Sequence, residues 1–224
     1  MTRSGRAMYQ PTHFAETRSE VLHAFITAHP LGTLITLNAG GELQANPIPF
    51  VIDALPPGHG VLRGHVARAN PVWRETQLDV PALVVFQGPQ SYISPSWYPS
   101  KSATGKVVPT WNYVVVQARG RLRAIDDVAW LRAFVERLTR RFESPRAVPW
   151  HVSDAPADYI DSMLRAIVGI EIELSALVGK WKVSQNRSAA DRAGVAAGLS
   201  DLAECSGDAQ AAAMAEWVAS MRGE

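Results

Sequence analysis

The sequence predicts an α+β fold in which a small β-barrel or sandwich comes first and helices follow. Three observations support this prediction. All fifteen prolines lie between Pro11 and Pro156. The same part of the chain holds about six short apolar segments separated by turn residues, a spacing typical of barrels and sandwiches. Residues 157–224 are rich in Ala and Leu and contain no proline, which favours helices.

A helix and a hairpin open the predicted fold. A capping-box pattern at 17–20 precedes apolar residues at helical spacing, so we predict a short helix that ends near Pro30. Residues 31–38 and 43–53 are predicted strands, and the Asn- and Gly-rich turn between them is typical of a β-hairpin. The second strand contains two prolines that cannot donate to a ladder, which predicts an irregular or edge strand.

More strands follow, bounded by Pro and Gly turns. We predict them at 60–66, 82–86, 107–117 and 119–125. Asp126 and Asp127 can then cap a helix over 128–142, whose apolar residues recur at helical spacing. The outer face of this helix carries Arg132, Arg137, Arg140 and Arg141.

A further helix and a late strand complete the predicted core. Pro156 lies near the start of that helix, whose predicted buried stripe is Tyr159, Ile160, Met163, Leu164 and Ile167. Residues 168–174 alternate with period two, so we predict a strand that returns to the sheet and closes the barrel. The Ala-rich segment 206–224 predicts an appended C-terminal helix. These assignments give one domain at 1–199 and a helical tail at 200–224.

Composition and charge exclude several classes of protein. The formal net charge is +1, which gives no global field for nucleic acid or anionic membrane. The apolar runs fall far short of the roughly 20 residues of a membrane-spanning helix. The basic N-terminus lacks the apolar segment of a secretory signal, so we expect a cytoplasmic protein without a membrane partner. Neither the single cysteine, Cys205, nor the histidines show metal-ligand spacing, and we predict no metal site.

Residues 63–71 form the first candidate binding cluster. A strand there leads into a turn that carries His65, Arg68 and Asn70. Backbone N–H groups at such a turn, together with an arginine fork, can bind phosphate oxygens, which predicts an anion site. The alternative is that Arg68 pairs with a surface carboxylate and that His65 is a satisfied strand histidine. The residues alone leave both interpretations open.

The second cluster lies in the segment 91–113, which concentrates prolines, aromatic rings, lysines and hydroxyl groups. Rigid prolines hold Trp97 and Tyr98, and Lys101 follows them. The two rings can wall a planar ligand while the lysine and nearby hydroxyls meet a negative group. The alternative is a Pro-aromatic corner that covers the end of the barrel, with the lysines solvated.

Two more clusters hold aromatic and amide side chains. Trp111 and Asn112 enter a strand from the loop side, which a ladder strand with one buried Trp explains equally well. Residues 179–188 are predicted to form a loop, in which Trp181 is followed by a dense set of hydrogen-bond donors that includes Gln185 and Arg187. Helix capping by serines explains only part of that set. No nucleophile motif, paired-carboxylate motif or glycine-rich phosphate loop is present, so we predict no catalytic residue.

Together these segments resemble the PaiB family of FMN-binding negative transcriptional regulators, from about Met8 to Leu199. The resemblance rests on "GHVARANP" (64–71), "FQGPQSYISPSWYPSK" (86–101), "VVPTWNY" (107–113), "AIVGIEIEL" (166–174) and "GKWKVSQNRS" (179–188). The family is similar in fold to flavin-reductase and pyridoxamine-oxidase-like split β-barrels, which form homodimers and hold FMN between subunits. The resemblance therefore implies an FMN-binding split β-barrel with flanking helices, and a homodimer.

The resemblance also implies a set of cofactor-binding residues. The phosphate and ribityl chain are faced by His65, Arg68, Asn70 and, assisting them, Lys101. The ring system is lined by Gln87, Trp97, Tyr98, Trp111 and Asn112. Across the dimer interface come Trp181, Gln185 and Arg187, and Asn46 completes the set. Family members often carry a His where this chain has Pro47, so the resemblance does not extend to a contact or proton transfer at that position.

Three functions follow from these observations. The resemblance implies a flavin-binding regulator, and the absence of catalytic motifs leans against an enzyme. The alternative is a flavin-dependent oxidoreductase that uses FMN at a dimer interface, since related split barrels are often enzymes. The third is a repressor that binds DNA directly. Only the arginine-bearing helix face favours it, because there is no helix-turn-helix pattern and no net basic excess.

Overall fold

The structure of the protein is a computed structural model that describes residues 8–55 and 57–220. The chain divides into two compact units. The first, called the sheet unit, consists of 23–86 and 117–177. The second, called the terminal unit, consists of the residues up to 22, 87–116 and those from 178 onward. No helix among the described residues is long and apolar enough to cross a bilayer.

The described residues form eight strands and seven α-helices, which confirms the α+β class. The strands are β1 Ala15–Glu16, β2 Leu31–Leu37, β3 Leu43–Pro49, β4 Val51–Asp53, β5 Val61–Ala67, β6 Ala82–Ile93, β7 Thr110–Ile125 and β8 Ile167–Lys182. The α-helices are α1 Ser19–Ala28, α2 Val72–Glu75, α3 Ser100–Thr104, α4 Val128–Glu143, α5 Ala157–Arg165, α6 Ala189–Ser206 and α7 Ala209–Ser220. Short 3₁₀ helices occur at Thr12–Phe14, Pro95–Trp97 and Val152–Asp154.

The strands form an antiparallel sheet whose hydrogen-bonded path is open. Seven of them lie in the order β3-β2-β6-β7-β8-β5-β4, and β1 pairs with β8. The two ends of the path, β3 and β4, are separated along the chain by Phe50 alone, whose N–H donates to Pro30 O at 2.8 Å. The prediction of one strand over 43–53 is therefore wrong, because the chain leaves β2 after Pro49 and pairs with β5 instead. The predicted edge character of the proline-bearing strand is confirmed.

The core of the sheet unit follows from strand alternation. Leu34, Leu62 and Phe86 are fully buried on their strands, and the Phe86 ring meets Phe50 edge to face at 6.0 Å between centroids. Gly32 leaves room for this packing, since a Cβ there would lie 2.7 Å from the Phe86 ring. Each buried side chain of this size stabilises the folded state by about 1.5–3 kcal/mol, because it is removed from water.

Two predicted strand boundaries differ from the structure. The segments 107–117 and 119–125 are one continuous strand, β7, because Gly120 is not a turn residue but lies against β8. A Cβ at Gly120 would come within 2.0 Å of Glu173 O, so the glycine permits close approach of two paired strands. The late strand β8 also continues to Lys182, so part of the predicted 179–188 loop is strand.

The helices of the sheet unit confirm the prediction in part. Asp127 caps α4 as predicted, accepting the Trp130 N–H at 2.7 Å. In α5, Ile160 and Leu164 pack with Leu131 and Val152, but the predicted buried residues Tyr159 and Met163 are 56% and 43% exposed. The helix is short, and this small cluster covers only one of its faces.

The arginine-bearing face of α4 is largely paired. Arg132 lies 2.5 Å from Asp161, and Arg137 donates to Asp53 at 2.9 Å. Arg141 donates to the carbonyl of Thr27. Arg140 is exposed. Most of this positive charge therefore already faces carboxylate or carbonyl oxygens within the sheet unit.

The terminal unit contains the predicted appended helix. Helix α6 begins at the N-cap Ser188 and ends at Gly207, whose φ of 71° is left-handed, and α7 packs against it. Met214 and Val218 of α7 are buried as their helical spacing predicted. The predicted domain boundary between 199 and 200 falls inside α6 and stays a prediction.

Candidate functional site

A cleft of about 350 Å³ in the sheet unit brings three of the predicted site residues together. Its lining residues are Asn46, Pro47, Ile48, Pro49, His65, Val66, Ala67, Asn70 and Ile167. They come from β3, from β5 and the turn after it, and from the start of β8. The cleft therefore combines amide and imidazole groups with apolar walls, the composition of a small-molecule site.

Two asparagines hold each other on one wall of this cleft. Asn70 Nδ2 donates to Asn46 Oδ1 at 2.9 Å, and Asn70 Oδ1 accepts the Val72 N–H at 3.0 Å at the start of α2. Both oxygens are thus engaged within the sheet unit. The Asn46 amide N–H groups have no partner within the described residues, which leaves two donors for a ligand.

His65 supplies a second unfilled polar group. Its Nδ1 is buried and has no hydrogen-bond partner among the described residues, so it is not the satisfied strand histidine of the alternative interpretation. The ring meets Phe134 edge to face at 5.9 Å between centroids. Burial lowers the pKa of His65, because the imidazolium loses hydration there. The imidazole is therefore neutral near pH 7.

The lowered pKa of His65 predicts that the protein loses stability as the pH falls below about 6.5, the ordinary value for histidine. In that window the unfolded chain binds a proton at this residue more readily than the folded one, so unfolding becomes more favourable. His29, whose pKa burial also lowers, adds in the same direction. We expect the melting temperature to fall between pH 7.5 and 5.5, and to fall less in His65→Leu. An equal fall in melting temperature for wild type and His65→Leu would contradict the assignment of this pH dependence to His65.

Arg68 does not point freely into this cleft. Its guanidinium donates to both carboxylate oxygens of Asp126, at 2.8 and 2.5 Å, and to the carbonyls of Arg165 and Ile167. Its own carbonyl accepts the indole N–H of Trp73 at 3.0 Å. The interpretation of Arg68 as an arginine paired with a surface carboxylate describes these contacts. Its predicted binding of phosphate stays a prediction.

In the terminal unit, the Pro-aromatic corner packs against α6. A Cβ at Gly198 would lie 2.4 Å from the Trp97 ring, and one at Gly194 would lie 2.1 Å from Trp97 O. Tyr98 is only 2% exposed, with the Arg187 guanidinium 4.8 Å above its ring. These contacts are with α6, so the alternative interpretation, a corner that covers the end of the barrel, stays an interpretation. The predicted contacts of both rings with a planar ligand stay predictions.

A buried carboxylate fixes the end of this corner. Asp191 accepts the Ser100 N–H at 3.1 Å and the Ser100 hydroxyl at 2.9 Å. Burial opposes its ionisation, but the hydrogen bonds from Ser100 and Ser188 and the charge of Arg187 outweigh burial and lower the pKa of Asp191. Lys101, the next residue, is exposed, and its Nζ lies 3.4 Å from Ser96 Oγ.

The remaining predicted residues of the terminal unit differ in exposure and in hydrogen-bond partners. Trp111 is half exposed and donates to Gln90 Oε1 at 3.0 Å, while Asn112 is buried and donates to Ser184 Oγ at 2.9 Å. Trp181 is buried against Trp217, with 5.6 Å between ring centroids. Gln185 accepts the Val183 N–H at 2.8 Å and donates to the carbonyl of Trp181 at the end of β8. Gln87 is exposed.

Sequence reasoning missed the lysines that flank Trp181. Lys180 and Lys182 both lie near the Tyr113 ring, at 5.4 and 5.9 Å from its centroid. Their spacing of two residues would have placed them on one face of a strand. That signal was hidden because 179–188 was predicted as a loop.

Comparison with known proteins adds the family and the fold. Residues 8–176 match the model of the family described as "Putative FMN-binding domain". The chain is 36% identical to an uncharacterized protein of Emericella nidulans, covering 87% of this chain and 91% of that one. It is 32% identical to the protease synthase and sporulation protein PAI 2 of Bacillus subtilis, covering 82% of this chain and 85% of that one.

A solved structure shares the fold at low sequence identity. The FAD and heme binding protein from Mycobacterium smegmatis superposes with a TM-score of 0.52 at 18% identity, covering 75% of this chain and 73% of that one. The fold of the present chain is a split β-barrel of the flavin-binding type, with an open sheet and flanking helices.

Proposed function

We propose, from the premise that this chain belongs to the family described as "Putative FMN-binding domain", that it is an FMN-binding negative transcriptional regulator of the PaiB type. FMN is the cofactor of this family. The regulatory role is the proposed part. It is supported by the family resemblance and by 32% identity to protein PAI 2 of Bacillus subtilis. The observation that carries FMN binding in this chain is the cleft of Asn46, His65 and Asn70.

The residues of that cleft fit a flavin nucleotide. The buried Nδ1 of His65 lacks a partner among the described residues, and an unsatisfied buried group is costly unless a ligand reaches it. The half-buried amide of Asn46, whose Oδ1 already accepts from Asn70, offers its N–H groups beside it. Apolar walls from Ile48 and Ile167 suit a flat ring or a ribityl chain. We propose that Asn46, His65 and Asn70 bind FMN by hydrogen bonds. When bound, FMN supplies the capacity to accept and donate electrons.

Flavin binding can be tested by replacing one donor in the cleft. We expect wild-type protein to bind FMN, and Asn46→Ala to weaken binding about threefold to tenfold, the effect of one neutral hydrogen bond. Fluorescence titration measures both affinities. Arg140→Ala changes an exposed residue of α4 and serves as the control. An affinity for FMN unchanged by Asn46→Ala would contradict the role of this cleft.

The regulatory proposal needs a test in cells. Transcripts are compared between a strain that lacks the gene and the same strain complemented with wild-type protein or with Asn46→Ala. We expect a set of genes that rises in the deletion and returns to normal with the wild type, with weaker restoration by the variant. A transcript profile that the deletion leaves unchanged would remove the regulatory role and leave FMN binding intact.

We further propose that the protein is a homodimer that acts in the cytoplasm. Homodimerisation follows from the resemblance to dimeric split barrels and is supported by large apolar side chains that the terminal unit leaves exposed. They are Tyr92, Val108 and Trp111, at 46, 64 and 49% exposure. A stable interface of this kind buries about 2,000 Å² or more. Light scattering that shows a monomer at micromolar concentration would contradict the proposal.

DNA binding by the isolated protein is predicted to be weak and without sequence preference. The net charge is +1, and three arginines of α4 are engaged with Asp161, Asp53 and Thr27 O. Little of the positive charge on this helix face therefore remains to neutralise phosphates. In a gel shift, any complex is expected to dissociate between about 50 and 200 mM salt. Site-specific binding that survives the higher salt would favour a directly binding repressor.

A flavin-dependent oxidoreductase is the second candidate. One observation favours it: His65 lines the cleft and its buried Nδ1 has no hydrogen-bond partner among the described residues, so this nitrogen is available for proton transfer with a bound ligand. Oxidation of reduced nicotinamide by the FMN-loaded protein, followed at 340 nm, separates the two candidates. Turnover by the wild type that His65→Leu abolishes would favour the enzyme. No turnover by the wild type would favour the regulator.

A further inference from the structure

A second cleft in the sheet unit lies between α4 and the 3₁₀ helix at Val152–Asp154. Its volume is about 260 Å³, and it shares no lining residue with the cleft of Asn46, His65 and Asn70. We call it the α4 cleft. Its lining consists of five polar side chains and one valine: Glu136, Thr139, Arg140, His151, Val152 and Ser153. Both signs of charge therefore meet hydroxyl and imidazole groups in one small space.

One wall of the α4 cleft is a row of side chains on α4. Residues three and four positions apart project from the same side of a helix, so Glu136, Thr139 and Arg140 lie together. Leu131 and Phe134 are buried and take up the side of α4 that faces the core. The row therefore offers a carboxylate and a guanidinium about one helical turn apart, roughly 6 Å along the axis, with a hydroxyl beside them.

The opposite wall is held in place by contacts of its own. Val152 is buried in a cluster with Leu131. The His151 N–H donates to Asp154 Oδ2 at 2.8 Å, and the Asp154 N–H donates back to His151 O at 2.9 Å. The turn that presents the His151 and Ser153 side chains is therefore fixed before any ligand arrives, which lowers the entropy lost on binding.

The two charged side chains of the α4 cleft are unpaired. Among the residues that the structure describes, neither Glu136 nor Arg140 forms an ion pair, and neither side chain takes part in a hydrogen bond. Their spacing would allow them to pair with each other, but an exposed pair of this kind is weak, so a ligand can compete with it.

The charged neighbours of this pair are already engaged. Glu143, three residues after Arg140, lies 3.1 Å from Arg146 and accepts the Trp150 N–H at 3.2 Å. The other three arginines of α4 contact Asp161, Asp53 and the carbonyl of Thr27. Glu136 and Arg140 are thus the charged groups of α4 that remain available to a ligand in this cleft.

We propose that the α4 cleft binds an α-amino acid with an uncharged polar side chain. Arg140 binds the carboxylate, because the guanidinium fork matches its two oxygens, and the Thr139 hydroxyl adds a donor. Glu136 accepts hydrogen bonds from the ammonium group. Since the two residues carry opposite charges, a ligand with both signs leaves neither uncompensated. Ser153 and His151 can each donate and accept, which matches an amide or hydroxyl side chain.

The size of the α4 cleft agrees with this class of ligand. A volume of about 260 Å³ equals that of roughly nine water molecules at about 30 Å³ each, which is close to the size of one amino acid. Pockets that take larger ligands measure about 300–1,000 Å³. The site is therefore distinct from the proposed flavin site in its residues, in its chemistry and in the size of its ligand.

Titration calorimetry of the full chain with L-glutamine tests the proposal. We expect wild-type protein to bind it with a dissociation constant below about 1 mM. Arg140→Met and Glu136→Gln each remove one charge and are expected to weaken binding about tenfold to a hundredfold, the effect of losing charge-assisted hydrogen bonds. Arg121→Met and Glu173→Gln change exposed residues of the same unit, serve as matched controls and are expected to bind as wild type does.

Ligands that carry one charge complete the test. Acetate and methylamine can each meet only one of the two charged side chains, so we expect both to bind wild type at least about tenfold more weakly than L-glutamine. The affinity for FMN is expected to stay unchanged in Arg140→Met and Glu136→Gln, because neither residue lines the cleft of His65. Failure of the amino-acid site and failure of flavin binding are therefore separate results.

Each outcome decides the proposal. Weaker binding of L-glutamine by both variants, with both controls unaffected, would support it. No binding by wild type would overturn it, and so would weakening by Arg140→Met alone with acetate bound as tightly as L-glutamine, which indicates a simple carboxylate site. Glu136 and Arg140 are exposed, so both variants should fold, and an unchanged melting temperature shows that a loss of binding is not a loss of structure.

Discussion

Replacing Gly120 by alanine is expected to destabilise the protein by about 3 kcal/mol or more. The added Cβ would lie 2.0 Å from Glu173 O and 2.9 Å from Ile172 Cγ2, both on the neighbouring strand β8. The oxygen belongs to the backbone, so a rotamer change cannot relieve the clash and the two strands must separate. For a chain of this size the melting temperature should fall by about 6–12 °C.

Gly58→Ala is the matched control for Gly120. A Cβ at Gly58 would meet Leu55 O at 3.4 Å, which is an ordinary contact, so we expect a change within about 0.5 kcal/mol. Calorimetry or chemical denaturation of both variants gives the comparison. A Gly120→Ala protein as stable as the control would show that β7 and β8 do not approach as closely as described.

Replacing Asp191 by alanine is expected to have the second largest effect, a decrease of about 3 kcal/mol in the free energy of unfolding. Two hydrogen bonds from Ser100 to this carboxylate disappear, and bonds to a charged group contribute about 1.5–3 kcal/mol each. The lost bonds also join α6 to the start of α3, so Lys101 should lose its fixed position. Chemical denaturation measures the stability.

The pH dependence distinguishes the Asp191 carboxylate from a simple packing contact. Because the folded pKa of Asp191 is lowered, its contribution is complete above about pH 4, the unfolded value, and disappears as the pH falls through the folded pKa. Asp191→Asn should therefore lose less stability than wild type on acidification. Asp201→Asn, at an exposed site on the same helix, should behave as wild type. Identical acid profiles for wild type and Asp191→Asn would contradict the role assigned to the carboxylate.

Features that depend on nearby residues were predictable from the sequence. The cap at Asp127 needs only the next few residues, and the edge character of β3 follows from two prolines without N–H groups. The strand content followed from alternation and turn residues. The family resemblance supplied FMN and the split barrel, which spacing alone left as a barrel or sandwich.

Features that depend on residues distant in sequence were not predictable. Arg68 meets Asp126, 58 residues away, and nothing local to either residue indicates the pair. Trp97 looked like an exposed aromatic wall because the glycines that receive it, Gly194 and Gly198, lie in a helix predicted only as part of the C-terminal region. The end of β8 is a third case, because Gly179 and Lys180 pair with Glu16 and Ala15 of β1, near the start of the sequence.

The pairing of β8 has a consequence for how the chain folds during synthesis. β5 and β1 find their partner in β8, where Val61 pairs with Glu173 and Ala15 with Lys180. Neither ladder can form until nearly the whole chain has left the ribosome, since loops of this length close late. β5 must wait with one edge unpaired while the intervening segments emerge. Nascent chains stalled before β8 should therefore be more prone to aggregation and chaperone binding than chains stalled after it.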